Sequence, residues 1–205
     1  MTDLTEQAAP ARAIRPTMVF PGTWANIPLD GDAQTDQAIS ALIKRQVGRD
    51  DRLARLRRDA KERLRGVAAD AKKANAIQLA LSLEILPGLP FPASLVSDYR
   101  DWPEGGDSLT VAERLGSLLP GGEVLELQSG VAIRTFRATT MQPGAEQIPD
   151  IKLEYYLCVP GGEFLLHVVA DVPVLIDPEL VAMLFDAMID SVRWSPAGGP
   201  VEGER

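Results

Sequence analysis

One cysteine, Cys158, and one histidine, His167, are all that the 205 residues contain of the two side chains most used in metal sites and nucleophilic catalysis. A lone cysteine excludes an intramolecular disulfide and a cysteine-rich metal centre. A metal would then need carboxylates, and neither a D-x-D-x-D nor an H-x-x-E-H spacing occurs, so no metal and no cofactor is expected. No run reaches the roughly eighteen apolar residues of a membrane span. Residues 1–16 (MTDLTEQAAPARAIRP) lack the basic start and apolar stretch of a secretory signal, which makes the cytoplasm the expected location. A phosphate cradle is missing too. Neither Pro120-Gly121-Gly122 nor Pro160-Gly161-Gly162 leads into a helix or into Gly-Lys-Ser/Thr, and Asp107 in Gly105-Gly106-Asp107-Ser108 would repel a phosphate.

What is present is a hydrophobic fraction of 45%, ordinary for a globular protein, and enough length for one domain with a sizeable core. The charge is uneven. The net value is −8, yet residues 44–73 hold twelve of the 21 lysines and arginines and only five acids, an excess of +7. The rest of the chain carries −15. The overall sign argues against generic nucleic-acid binding, and the basic stretch has no aromatic residues to stack bases.

Periodicity supplies the elements. Residues 1–15 read as a disordered lead, 16–195 as a single domain and 196–205 as a disordered tail. Residues 17–29 (TMVFPGTWANIPL) read as two extended pieces turned at Pro21-Gly22. A basic helical pair over residues 35–73 follows. Ile39, Leu42, Ile43 and Val47 mark its first helix, with Asp32 or Thr35 as cap. Leu53, Leu56, Ala60, Leu64 and Val67 form a stripe on the second, capped by Asp50 or Asp51. Arg55, Arg58, Lys61 and Arg65 fall away from that stripe, toward solvent or a partner.

Residues 75–86 alternate as a half-buried strand, and PGLPFP then breaks regular pairing, leaving residues 89–102 as a loop. Asp107 or Ser108 is the expected cap of a short helix through Leu109, Ala112, Leu115 and Leu119, ended by Pro120-Gly121-Gly122. Two hairpins come next: residues 123–127 with 131–139, and 151–159 with 163–169. The second puts Ile151, Leu153, Tyr155 and Leu157 on one face with Phe164, Leu166 and Val168. Asp177 and Pro178 open a last helix with a stripe of Val181, Leu184, Phe185, Met188 and Val192. Residues 191–194 read as a closing edge strand. The sum is an α+β fold, an antiparallel sheet with helices packed over it, because strands follow strands through tight turns.

The order of these elements, with Phe20-Pro21-Gly22-Thr23-Trp24, Ile27-Pro28-Leu29 and the helix from Phe185 to Trp194, resembles the PsbP/Mog1 type of α/β/α sandwich. That resemblance implies a non-enzymatic binding or scaffold domain and brings no catalytic residues with it. The long charged helix of residues 50–72 departs from the type.

The residues suggest three functions. An adaptor or chaperone-like module would use Arg55, Arg58, Lys61 and Arg65 to engage an acidic protein, or another copy of the chain. The aromatic, proline-rich loop with Phe91, Tyr99 and Trp102 would help. A small hydrophobic ligand could instead sit between the sheet and the last helix. Third, His167 could act as a base with Tyr156 or Glu154 across the strand, or pair with Cys158. Without a placed nucleophile, binding rather than catalysis is the expectation.

Overall fold

Alternation of apolar and polar residues in IKLEYYLC and FLLHVVADV pairs two central strands across Pro160-Gly161-Gly162, with Tyr155 opposite Val168 and Leu157 opposite Leu166. The computed structural model describes residues 14–48, 50–106, 108–139, 150–162, 164–173 and 177–196. Its strands are β1 (Ile14–Thr17), β2 (Thr23–Asn26), β3 (Gln78–Leu86), β4 (Leu89–Asp101), β5 (Glu123–Leu127), β6 (Gly130–Thr139), β7 (Asp150–Cys158), β8 (Phe164–Val172) and β9 (Arg193–Pro196). Four helices join them: α1 (Asp32–Val47), α2 (Ala54–Lys73), α3 (Val111–Leu118) and α4 (Pro178–Asp190). Seven strands make one antiparallel sheet in the order β2-β3-β4-β8-β7-β6-β5, so the fold is α+β.

Both faces of the sheet are covered, by different means. On the first, Leu95, Leu153, Tyr155, Leu157, Leu166 and Val168 are fully buried, and Val181, Phe185, Met188 and Ile189 of α4 pack in the same core. Each such side chain contributes roughly 1.5–3 kcal/mol by leaving water. On the second face, α1 and α2 cover one end by packing Ile39, Leu42, Ile43 and Ala68 against Leu79 of β3. Leu115 of α3 seals the other end against Ile133 and Leu165. The central strands between these two helical groups are polar on this face.

Several expectations change. The two N-terminal extended pieces do not pair with each other: β2 joins the edge of the large sheet, and β1 pairs with β9 in a separate ribbon. β9 therefore does not return to the main sheet. Ile14 and Arg15 lie in β1 and Pro196 in β9, so the ends of the fold extend past residues 16 and 195. The rest of the expected lead and tail lies outside the described residues. Gly22, at φ +79°, takes the chain from one sheet to the other; a Cβ there would stand 2.1 Å from the Glu84 carbonyl oxygen.

The expected loop at residues 89–102 is the largest correction. It is β4, a thirteen-residue strand between β3 and β8. Pro90 and Pro92 are tolerated because pairing with β8 begins only at Ser94, and the pairing with β3 is irregular here. Caps differ as well. Gly31 stands at the start of α1 without a side-chain cap, and Thr35 donates to the Pro28 and Gly31 carbonyls. Asp50 caps a short 3₁₀ turn ahead of α2, and Thr110 with Glu113 forms a capping box on α3. Ser108 does not cap α3, and Asp107 lies outside the described residues. Of the α4 stripe, Val181, Phe185, Met188 and Val192 are buried and Leu184 is half-buried, while Ala182 and Ile189 join the buried face.

Candidate functional site

The basic helical pair is an antiparallel hairpin, and its cations divide into two sets. α2 is rotated from the expected stripe: Ala68 and Ala71 are buried and Ala60 and Leu64 half-buried, while Leu53, Leu56 and Val67 are exposed. Small alanines let the helices approach, and the acids of α1 draw α2 round. Asp36 accepts from Lys61 Nζ at 3.1 Å and from Arg65, and Asp32 accepts from Lys72 Nζ at 2.7 Å. Lys61 and Arg65 therefore pair with α1 while the Arg65 side chain stays 55% exposed, so of the four cations expected to face solvent or a partner these two are engaged within the hairpin. The hydrogen bond from Lys61, aided by Arg65, holds the Asp36 carboxyl below its ordinary value. The bond from Lys72 does the same for Asp32. Arg57 joins the frame by donating to the Asp50 carbonyl at 2.6 Å, across the turn between the helices.

The second set points outward. Among the described residues, Lys44, Arg45, Arg52, Arg58 and Arg63 have no ion pair, and Arg55 meets only Asp59, at 3.9 Å with both side chains largely exposed. A groove of about 470 Å³ lined by Ile43, Lys44, Arg57, Arg58 and Lys61 runs between the helices. Leu53 and Leu56 stand in water on the same end, Leu56 at 54% exposure. Unpaired arginines around exposed leucines make a surface that can take an acidic, partly apolar protein segment.

The aromatic residues expected to help do not reach this surface. Phe91 is 7% exposed, inside the core beneath the first sheet face. Tyr99 packs at the edge of that core, and its hydroxyl donates to the Ile14 carbonyl at 2.5 Å. Trp102 follows β4 and packs beside Leu115, with the Arg114 guanidinium 4.2 Å above its ring. They tie β1, β4 and α3 together.

On the polar face of the sheet, Asp98, His167, Tyr156 and Ile133 form one cross-strand row through β4, β8, β7 and β6. His167 Nδ1 lies 3.2 Å from Asp98 Oδ2 and Nε2 lies 3.0 Å from Glu154 Oε1. Tyr156 stacks on the imidazole at 4.6 Å and donates to the same Glu154 oxygen. Burial, with Glu154 beside it, pushes the Tyr156 phenol up to about 12. Arg100 Nε pairs with the other Asp98 oxygen at 2.6 Å. Sequence reasoning missed Asp98 because the prolines hid β4. The alternation of Phe91, Ala93, Leu95, Ser97 and Tyr99 was the available signal.

This cluster offers little to a substrate. Both imidazole nitrogens face carboxylates and the residue is 8% exposed, so neither nitrogen is directed at a substrate. Cys158 lies on the same face, but its thiol contacts the Val159 carbonyl and is pushed up by burial, the opposite of thiolate activation. Farther along the face, Lys152 lies between Asp150 and Asp171; a hydrogen bond with Asp171 and burial raise the Asp150 carboxyl. No group of three potential ligands that could hold a metal ion occurs among the described residues. No helix among them is long and apolar enough to cross a membrane. No protein-family model matches the chain, and no curated protein matches its sequence.

Proposed function

We propose that this chain is a non-enzymatic protein-binding module, an adaptor or chaperone-like domain, whose docking surface is the outer end of the α1–α2 hairpin. One observation carries the reading. The acids of α1 engage Lys61, Arg65 and Lys72, which leaves Lys44, Arg45, Arg52, Arg55, Arg58 and Arg63 grouped on a hairpin that also exposes Leu53 and Leu56. Cations that pair within the fold add stability, whereas cations left without partners around apolar side chains suit an acidic partner segment. Phe91, Tyr99 and Trp102 take no part in this surface, since Phe91 is core and the other two tie β4 to β1 and α3.

The element order resembling the PsbP/Mog1 type supports a binding role. A single cysteine in no need of an oxidising compartment supports the cytoplasm as the setting. The hydrophobic-ligand reading is less supported, because Tyr155, Leu153, Leu157, Phe185 and Ile189 already fill the space between sheet and α4.

The test is photo-crosslinking from position 56 in the protein's native cells, followed by calorimetry with the partner so identified. Crosslinked segments should be acidic, and Arg55→Glu with Arg58→Glu should weaken binding by about tenfold or more. Unchanged affinity in that double variant would end the hairpin reading.

A further inference from the structure

Strand β6 outruns its outer neighbour. β5 accompanies it only from Gly130 to Arg134, so from Thr135 to Thr139 the outer edge of β6 has no strand beside it among the described residues. Unpaired backbone on a sheet edge is a template for another strand.

The two sides of this edge differ chemically. On the face that carries α4, Phe136 is 39% exposed. Two contacts fix how α4 lies along β6: Asp190 accepts from the Gln128 N–H at the β5–β6 turn, and Asp186 pairs with Arg134. Met183 and Leu180 precede Asp186 on α4 and Phe136 follows Arg134 on β6, so all three lie on the same side of the Arg134–Asp186 pair. Met183 and Leu180 are 66% and 61% exposed, on the side where a surface helix ordinarily carries polar residues. On the other face of the edge, Arg137 is exposed with no ion pair among the described residues, directly across from Lys152.

We infer that the free edge of β6 is a second docking site, for an extended segment of a partner protein in which apolar and acidic residues alternate. The segment adds as a strand along Thr135–Thr139, and main-chain hydrogen bonds hold it. Because a strand alternates its side chains, one set of residues meets Phe136 and Met183 and the other meets Arg137. A second copy of this chain fits poorly: symmetric antiparallel pairing centred on Arg137 would set Arg137 against Arg137. The site is separate from the hairpin and does not depend on it.

The experiment uses the full chain and two labelled peptides of about nine residues, one alternating valine with glutamate and the other valine with lysine. Fluorescence anisotropy should show the glutamate peptide binding at least about tenfold more tightly. Arg137→Glu should reverse that preference. Phe136→Ser and, independently, Met183→Ser should weaken binding by about tenfold while circular dichroism stays unchanged and, for Met183→Ser, the melting midpoint as well. Arg55→Glu with Arg58→Glu should leave this binding intact, which separates it from the hairpin reading. Absence of binding to the unsubstituted chain, or equal binding of both peptides, would overturn the proposal. A dimer of the unsubstituted chain that Phe136→Ser dissociates in sedimentation would overturn it in favour of a second copy.

Discussion

His167 and Asp98 are partners across two neighbouring strands, Nδ1 3.2 Å from Oδ2, although 69 residues separate them in the chain. Both are buried, Asp98 to 4% exposure, and Glu154 holds the second imidazole nitrogen. The histidine thus bridges β4 and β7 from its place on β8, tying the centre of the sheet by its polar face.

Removing that bridge should weaken the fold. His167→Ala leaves Asp98 buried with only Arg100 to compensate it, which is expected to cost about 2 kcal/mol. Urea denaturation of the variant measures this directly. A loss below about 0.5 kcal/mol, the ordinary range for surface sites, would show that the bridge contributes little.

Acid should loosen the hairpin. The Asp36 carboxyl is depressed by Lys61 and Arg65, so its contribution is fully present above the ordinary value of 3.8 and is lost as pH falls through the depressed folded value. Asp36→Asn should therefore lower the melting temperature at neutral pH, with the difference shrinking as pH drops below about 3.8. Melting curves of both proteins between pH 7 and pH 2 test the sign. A difference that grew toward acid would contradict it.

Phe91 and Leu56 should respond in opposite ways. Phe91→Ala opens a cavity in the core and should cost about 3–4 kcal/mol with no specific effect on partner affinity in the folded fraction. Leu56→Ser touches an exposed side chain and should change stability by no more than about 0.5 kcal/mol, yet weaken partner binding. Parallel denaturation and binding measurements distinguish the two roles.

Gly22→Ala should destabilise strongly. The backbone is at φ +79°, and the new methyl would collide with the Glu84 carbonyl and the Ile85 backbone. A cost above about 2 kcal/mol, read from the urea midpoint, is expected. A melting curve equal to that of the unsubstituted chain would mean that β2 and β3 can separate at this point without loss.

The alternation in residues 151–159 and 164–169 and the stripe on α4 were legible because each depends on neighbours within one element. His167 was readable as a strand residue sharing a face with Leu165, Val169 and Asp171, with Glu154 or Tyr156 across from it, and the structure places Tyr156 there. Asp98 was not readable. Pro90 and Pro92 break the strand pattern locally, and only the start of β8 pairing at Ser94 makes them acceptable. The same limit applied to Lys61 and Arg65, whose direction depended on Asp36 in another helix.

The sequence by itself determined the α+β class, the β5–β6 and β7–β8 hairpins and the position of the basic hairpin, because periodicity, turn residues and charge runs act over a few residues. Tertiary structure alone decided strand order, the burial of Phe91, the pairing of Asp98 with His167 and the rotation of α2. It also left β6 longer than its neighbour. Each of these depends on which distant segment lies alongside, and contact energies between elements outweigh the local preferences that a linear chain displays.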